Sequence, residues 1–186
     1  MNYTLSKSKV TLVPTASIVP AANKLLEELR PFCKKIDITG DLRRDATLSD
    51  RIEFLFVPNT YEHSKNFFET QTIWVLGLFE VLNKYGITGA FSTAQFEIKH
   101  PLTSSGLLPV IMHATTPCQY GALLAITTGG DVTRKELLRA LTRRALCLTP
   151  QSTIRDIKQS KDVPFYYERE FFSTLGVTYR HPANRY

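Results

Sequence analysis

Between Ile36 and Val57 the chain reads IDITGDLRRDATLSDRIEFLFV, two short apolar runs joined by a polar segment that opens on glycine and carries adjacent arginines. This stretch constrains the fold more than any other. Short runs rich in Ile, Phe and Val, each closed by glycine or proline, are too brief for helices and read as strands. They predict strands over 36–40 and 50–57, with Pro58 and Asn59 ending the second. A chain that contains them has to build a sheet.

Around that pair, strand and helix patterns alternate. Residues 19–35 place Ala22, Leu25, Leu26, Leu29, Phe32 and Cys33 on one side at helical spacing, and Pro31 should kink or end that helix. A crossover helix is predicted over 64–85, stopped at Gly86. AQFEIKH (94–100) and LLPVIMHAT (107–115) read as a strand pair flanking the loop PLTSSG, and ALLAITT (122–128) as a further strand closed by Gly129 and Gly130. TRKELLRALTRRAL (133–146) is an amphipathic helix with Thr133 as its cap. Residues 149–163 are polar and loop-like, and 166–177 close with a short helix stopped by Gly176. The order predicts an α+β domain with a mixed sheet over 1–130 and a small helical lobe over 131–186.

Cys33, Cys118 and Cys147 are far apart and form no CxxC, which argues against a zinc site or a disulfide framework and points to a reducing, intracellular compartment. The opening MNYTLSKSKV lacks the apolar run of a signal peptide. The most apolar run, Ile73 to Leu82, is interrupted by Gly77 and Glu80 and is about half the ~20 residues a bilayer needs, so no membrane partner is expected. The 186 residues carry a net charge of +6, which favours polyanionic partners. Lys135, Arg139 and Arg143 recur at helical spacing as one stripe, with Arg144 beside it.

The Gly40–Arg44 turn has a definite chemical use. Glycine lets a backbone approach phosphates, and Arg43 and Arg44 would neutralise them. Carboxylates two apart on the following strand would share one face. With a third from a neighbouring strand they could hold two Mg²⁺ ions for nucleotidyl transfer. LRPFCKKIDITGDLRRDATLSDRIEFLF, VIMHATTPCQYGALLAITTG, LLRALTRRAL and EREFFSTLGVTYRHPANR stand in this order. Together they resemble family X DNA polymerases over roughly residues 18–186. The resemblance implies a nucleotidyltransferase (polymerase beta-like) fold: a palm over 1–130 and a thumb-like lobe over 131–186, similar to the family's minimal, virus-encoded form.

The departures decide what that resemblance implies. In the family's register the serine after the glycine is Asp41, and the three metal aspartates fall on Arg51, Glu53 and Ile111. A period of two puts Arg51 on the face of Glu53, where it should pair with Glu53 or Asp41 and place a fixed cation at the metal position. Such a site implies no catalytic residue and no cofactor. Mg²⁺ would be needed only if Asp50, re-aimed by a bulge, joined Glu53 in an altered site. The implied protein is a catalytically degenerate polymerase-like binder of nucleic acid (DNA), or of a replication or transcription partner, from a viral or phage source. Arg43, Arg44, Lys135, Arg139, Arg143 and Arg144 would take phosphates. Two readings compete with it: a scaffolding component that keeps the fold as an interaction module, and an active repair-type polymerase with altered ligands. His113 reads as a core histidine. Phe165, Tyr166, Tyr167, Phe171 and Phe172 read mostly as core, with one or two free to stack on bases.

Overall fold

The computed structural model describes residues 12–66, 69–85, 95–103 and 106–186. In chain order its elements are β1 (Val13–Pro14), α1 (Thr15–Leu29), β2 (Cys33–Thr39), the single-turn α2 (Gly40–Arg43), β3 (Leu48–Ser49), β4 (Ile52–Pro58), β5 (Thr60–Asn66), β6 (Glu69–Trp74) and α3 (Leu76–Lys84). Then follow β7 (Gln95–Thr103), β8 (Gly106–Ala114), α4 (Tyr120–Thr128), α5 (Asp131–Arg143), β9 (Leu146–Leu148), β10 (Ile154–Asp156), β11 (Lys161–Asp162) and α6 (Glu168–Leu175). No helix among the described residues is long and apolar enough to cross a membrane.

The two strands around the arginine turn form as the sequence requires and pair antiparallel, Thr39 opposite Glu53 and Ile36 opposite Phe56. They belong to a four-stranded sheet of order β2-β4-β8-β7, antiparallel except for the parallel β4–β8 pair. One face carries Ile36, Ile52, Phe54, Phe56, Ile98, Val110 and Met112 into a core with Ile18, Ala22, Leu25 and Leu29 of α1 and Leu78 and Leu82 of α3. The helical spacing read in α1 therefore buries its apolar side as expected, but the helix stops at Leu29. Pro31 sits in a 3-10 turn, Arg30–Phe32, and Cys33 already belongs to β2.

Further predicted elements differ, among them the loop expected over 101–106, of which Pro101–Thr103 and Gly106 belong to β7 and β8. Of the helix expected over 64–85, the described residues are helical only over Leu76–Lys84, and β5 and β6 pair antiparallel before it. The β-prone end of that run, TQTIW, outweighed the apolar spacing. Residues 122–128, expected as a strand, lie in helix α4. A short apolar run with no period cannot separate a buried strand from a buried helix, and this helix is apolar on every side because both sides are covered. Leu123 and Leu124 pack with Leu55 and Val57 on the second sheet face, whereas Ala122, Ala125 and Ile126 face a further core. That core holds Leu137, Ala140 and Leu141 of α5, Leu146, Ile154, Phe165, and Phe171, Phe172 and Leu175 of α6.

Thr133 does not cap α5: the helix begins at Asp131 after Gly130, and Thr133 is buried in its first turn. The segment 149–163, expected as loop, contributes β10 and β11 to a three-stranded sheet of order β11-β10-β9. Strands of two or three mostly polar residues carry too little alternation to be read. The stop of α6 is as expected, with Gly176 in the left-handed conformation at φ 67°.

Candidate functional site

The strand register gathers the residues of interest into one row. Thr39, Glu53, Ile111 and Glu97 are successive partners across β2, β4, β8 and β7, and they share the face on which α4 sits. Glu53 and Ile111 are thus direct neighbours on parallel strands. His113, two residues along β8 on the same face, places Nε2 3.2 Å from Glu53 Oε2. This histidine, expected as a core residue, is largely buried and partnered by a carboxylate.

Gly40 makes room for that carboxylate. Its φ is 64°, and a Cβ built there would lie 2.8 Å from Glu53 Oε1. The glycine thus serves a left-handed turn and the close approach of Glu53 to it, rather than only ending a strand.

Arg51 does not occupy the row. It precedes β4 and is outside the pleat, so the period-of-two argument that aligned it with Glu53 fails. Its side chain is 45% exposed, and Nε and Nη2 both donate to Asp50, at 2.6 and 2.9 Å. That pairing corrects the expected Arg51–Glu53 or Arg51–Asp41 contact and engages the carboxylate considered as a spare metal ligand. Asp41 is taken by Arg44 and by the Ser49 hydroxyl, which donates to it at 3.0 Å. Among the described residues no three His, Cys, Asp or Glu side chains converge to hold a metal ion. Of the three positions that the resemblance assigns to metal ligands, only Glu53 carries a carboxylate.

The arginines of the turn point inward. Arg43 donates from Nη1 and Nη2 to Glu168 Oε1 and Oε2 at 2.9 and 2.7 Å, and from Nη1 to the Thr128 hydroxyl at 2.7 Å. Arg44 donates to the Thr128 carbonyl at 2.9 Å. The Glu168 carboxylate, 9% exposed, also accepts from Arg185 Nη1 at 2.7 Å. Arg185 is fully buried, lies 5.0 Å from the Phe172 ring and 5.2 Å from that of Tyr179, and donates through Nε to the Arg180 carbonyl at 2.9 Å. Burial pushes the Glu168 carboxyl up, but hydrogen bonds from Arg43 and Arg185 outweigh it and hold the group below the usual carboxylate range. The same seam contains Tyr120, whose buried phenol is pushed up by desolvation and donates to Asp37 at 2.6 Å.

Helix α5 presents the cations that the sequence marked. Leu137, Ala140 and Leu141 are buried, while Lys135, Arg139 and Arg143 are exposed, successive members about 6 Å apart along the axis. Arg144, the C-terminal cap residue, is exposed as well. Among the described residues none of these four pairs with a carboxylate. Arg143 and Arg144 also complement the negative end of the helix dipole, which gives that pair a structural use. Of the aromatic residues near α6, Phe165, Phe171 and Phe172 are core, whereas Tyr166 and Tyr167 are 49% and 72% exposed.

Sequence reasoning missed Glu168 and Arg185. An acidic residue at the start of a helix and an arginine in the tail have ordinary solvated explanations. Only the tertiary fold brings them to a turn more than a hundred residues away. No protein-family model matches this chain, and no curated protein matches it either.

Proposed function

We propose that this chain is a nucleotidyltransferase-like palm (residues 1–130) with a thumb-like lobe (131–186), akin to family X DNA polymerases, that binds nucleic acid without transferring nucleotides. The observation that carries the reading is the Glu53–Ile111 register. The two positions that the resemblance assigns to metal aspartates on different strands are direct partners on β4 and β8. One of them is an apolar side chain, and the third position, Arg51, is a cation turned toward Asp50. In this reading nucleic acid lies along α5, with Lys135, Arg139, Arg143 and Arg144 on backbone phosphates, so that binding is sequence-independent and salt-dependent.

Two measurements on the purified protein test it. Anisotropy of a labelled 20-base-pair duplex should report affinity that falls steeply with salt. Changing all four cations to glutamine should weaken binding at every sequence and reduce the slope of log affinity against log salt by about 0.9 for each phosphate no longer neutralised. Primer extension with Mg²⁺ or Mn²⁺ should give no incorporation above a mock purification. Incorporation would restore the altered-ligand polymerase, and absence of any salt-dependent binding would leave the scaffolding role.

A further inference from the structure

The four-stranded sheet ends on β2 and β7. An edge strand presents unpaired N–H and C=O groups, and folds blunt it with prolines, charges or a covering element. β7 contains Pro101, which has no N–H to offer. β2 runs from Cys33 to Thr39 without a proline, and Lys34 and Lys35 on it are exposed. Among the described residues, the backbone groups of residues 34–38 that face away from β4 have no hydrogen-bond partner. Lys35 and Asp37 share the face on which α4 lies. Lys35 Nζ is 4.0 Å from the centre of the Tyr120 ring, and Asp37 accepts from the Tyr120 hydroxyl at 2.6 Å. Ile36, between them, turns to the core under α1.

The charges on this strand select what can pair with it. We propose that β2 is a homodimer interface. Two copies join edge to edge, antiparallel, about a two-fold axis through Ile36, and so extend each four-stranded sheet into the other. An axis perpendicular to a sheet keeps every side chain on its own face, so it must pass through a residue rather than between two. Centred on Lys34 or Lys35 it would set lysine against lysine, and centred on Asp37 it would set aspartate against aspartate. Centred on Ile36 it sets Lys35 of each copy across from Asp37 of the other, which makes two opposite-charge pairs on one face and no like pair. Ile36 is also the middle residue of β2, so this register overlaps the whole strand. It works with either alternate set of backbone groups facing outward, because a residue on the axis can form a hydrogen-bonded or a non-hydrogen-bonded pair. Lysines on an edge ordinarily repel a second copy, and the aspartate two residues on turns one of them into a partner. The interface uses none of the cations assigned to phosphates, so it stands whether or not the nucleic-acid reading holds.

Analytical ultracentrifugation of the full chain over a concentration series tests the interface, using Lys35→Glu, the charge exchange Lys35→Glu/Asp37→Lys, and Lys34→Glu as a control. Each protein is first checked for folding by circular dichroism. The parent should sediment as a dimer that dissociates on dilution. Lys35→Glu sets glutamate against aspartate twice and should weaken dimerisation by roughly ten- to a hundredfold. The charge exchange re-creates both opposite-charge pairs and should recover most of that loss. Lys34→Glu meets Ile38 rather than a charge in this register and should alter the dissociation constant by no more than about twofold. In hydrogen exchange, alternate amides within residues 34–38 should gain protection as the parent is concentrated, whereas those of β7 should not. The charge exchange removes the acceptor of the Tyr120 hydroxyl. Should that variant not fold, the two lysine variants and the hydrogen-exchange pattern decide alone. A parent that stays monomeric over the whole series overturns the proposal and leaves the lysines as guards of a free edge. A dimer that Lys35→Glu leaves intact, or that Lys34→Glu weakens as much, overturns it too, since the copies would then meet elsewhere or in another register.

Discussion

Replacing Glu168 by glutamine should be among the most damaging single changes in the molecule. Glu168 is 9% exposed, and Arg185 beside it is fully buried. The introduced amide could keep its carbonyl oxygen toward the two donors that now share Oε1, Arg43 Nη1 and Arg185 Nη1. Its NH₂ would then meet Arg43 Nη2 donor to donor, where Oε2 now accepts at 2.7 Å. The larger effect is that the guanidinium of Arg185 stays buried without its counter-charge. Removing one partner of a buried pair costs about 3–5 kcal/mol, against a total stability of about 5–15 kcal/mol for a domain. Urea unfolding should show the midpoint falling accordingly, and the melting temperature should drop by about 10 °C. Adding Arg185→Met should recover part of that stability. The unpaired charge is then gone, and an apolar side chain lies against Phe172 and Tyr179. A Glu168→Gln protein within about 1 kcal/mol of the parent would refute the reasoning, since a buried guanidinium would then be tolerated without its partner.

Acid should loosen the same clamp. The carboxyl of Glu168 lies below its unfolded value, so its contribution is fully present above the ordinary glutamate value of about 4.3 and fades as pH falls through the depressed folded value. Unfolding free energy followed below pH 5 should fall less steeply in Glu168→Gln than in the parent. Gly40→Ala should cost about 1–2 kcal/mol for the left-handed backbone alone, with more for displacing Glu53, read as a lowered urea midpoint. Burial pushes the Cys33 thiol up to about 12, so in mass-spectrometric mapping of iodoacetamide labelling near pH 8 Cys33 should be the slowest of the three cysteines in the folded protein.

Local pattern was enough for several elements. The strand pair around Gly40–Arg44, the apolar side of α1, the hairpin of β7 and β8, the exposed stripe on α5 and the glycine stop of α6 follow from periodicity and turn chemistry acting over a few residues. The Glu53–Ile111 pairing was legible only through spacing borrowed from the resemblance, because parallel strands meet across a crossover that local pattern does not encode. The remaining features arise from contacts between distant segments. Helix α4 is a helix because two cores cover its two sides, a fact absent from ALLAITT read alone. Arg51 pairs with its neighbour Asp50 because β4 begins at Ile52, two residues later than the strand read over 50–57. Arg43 pairs with Glu168 because folding placed a buried carboxylate within reach, and a guanidinium binds whichever anion burial brings closest.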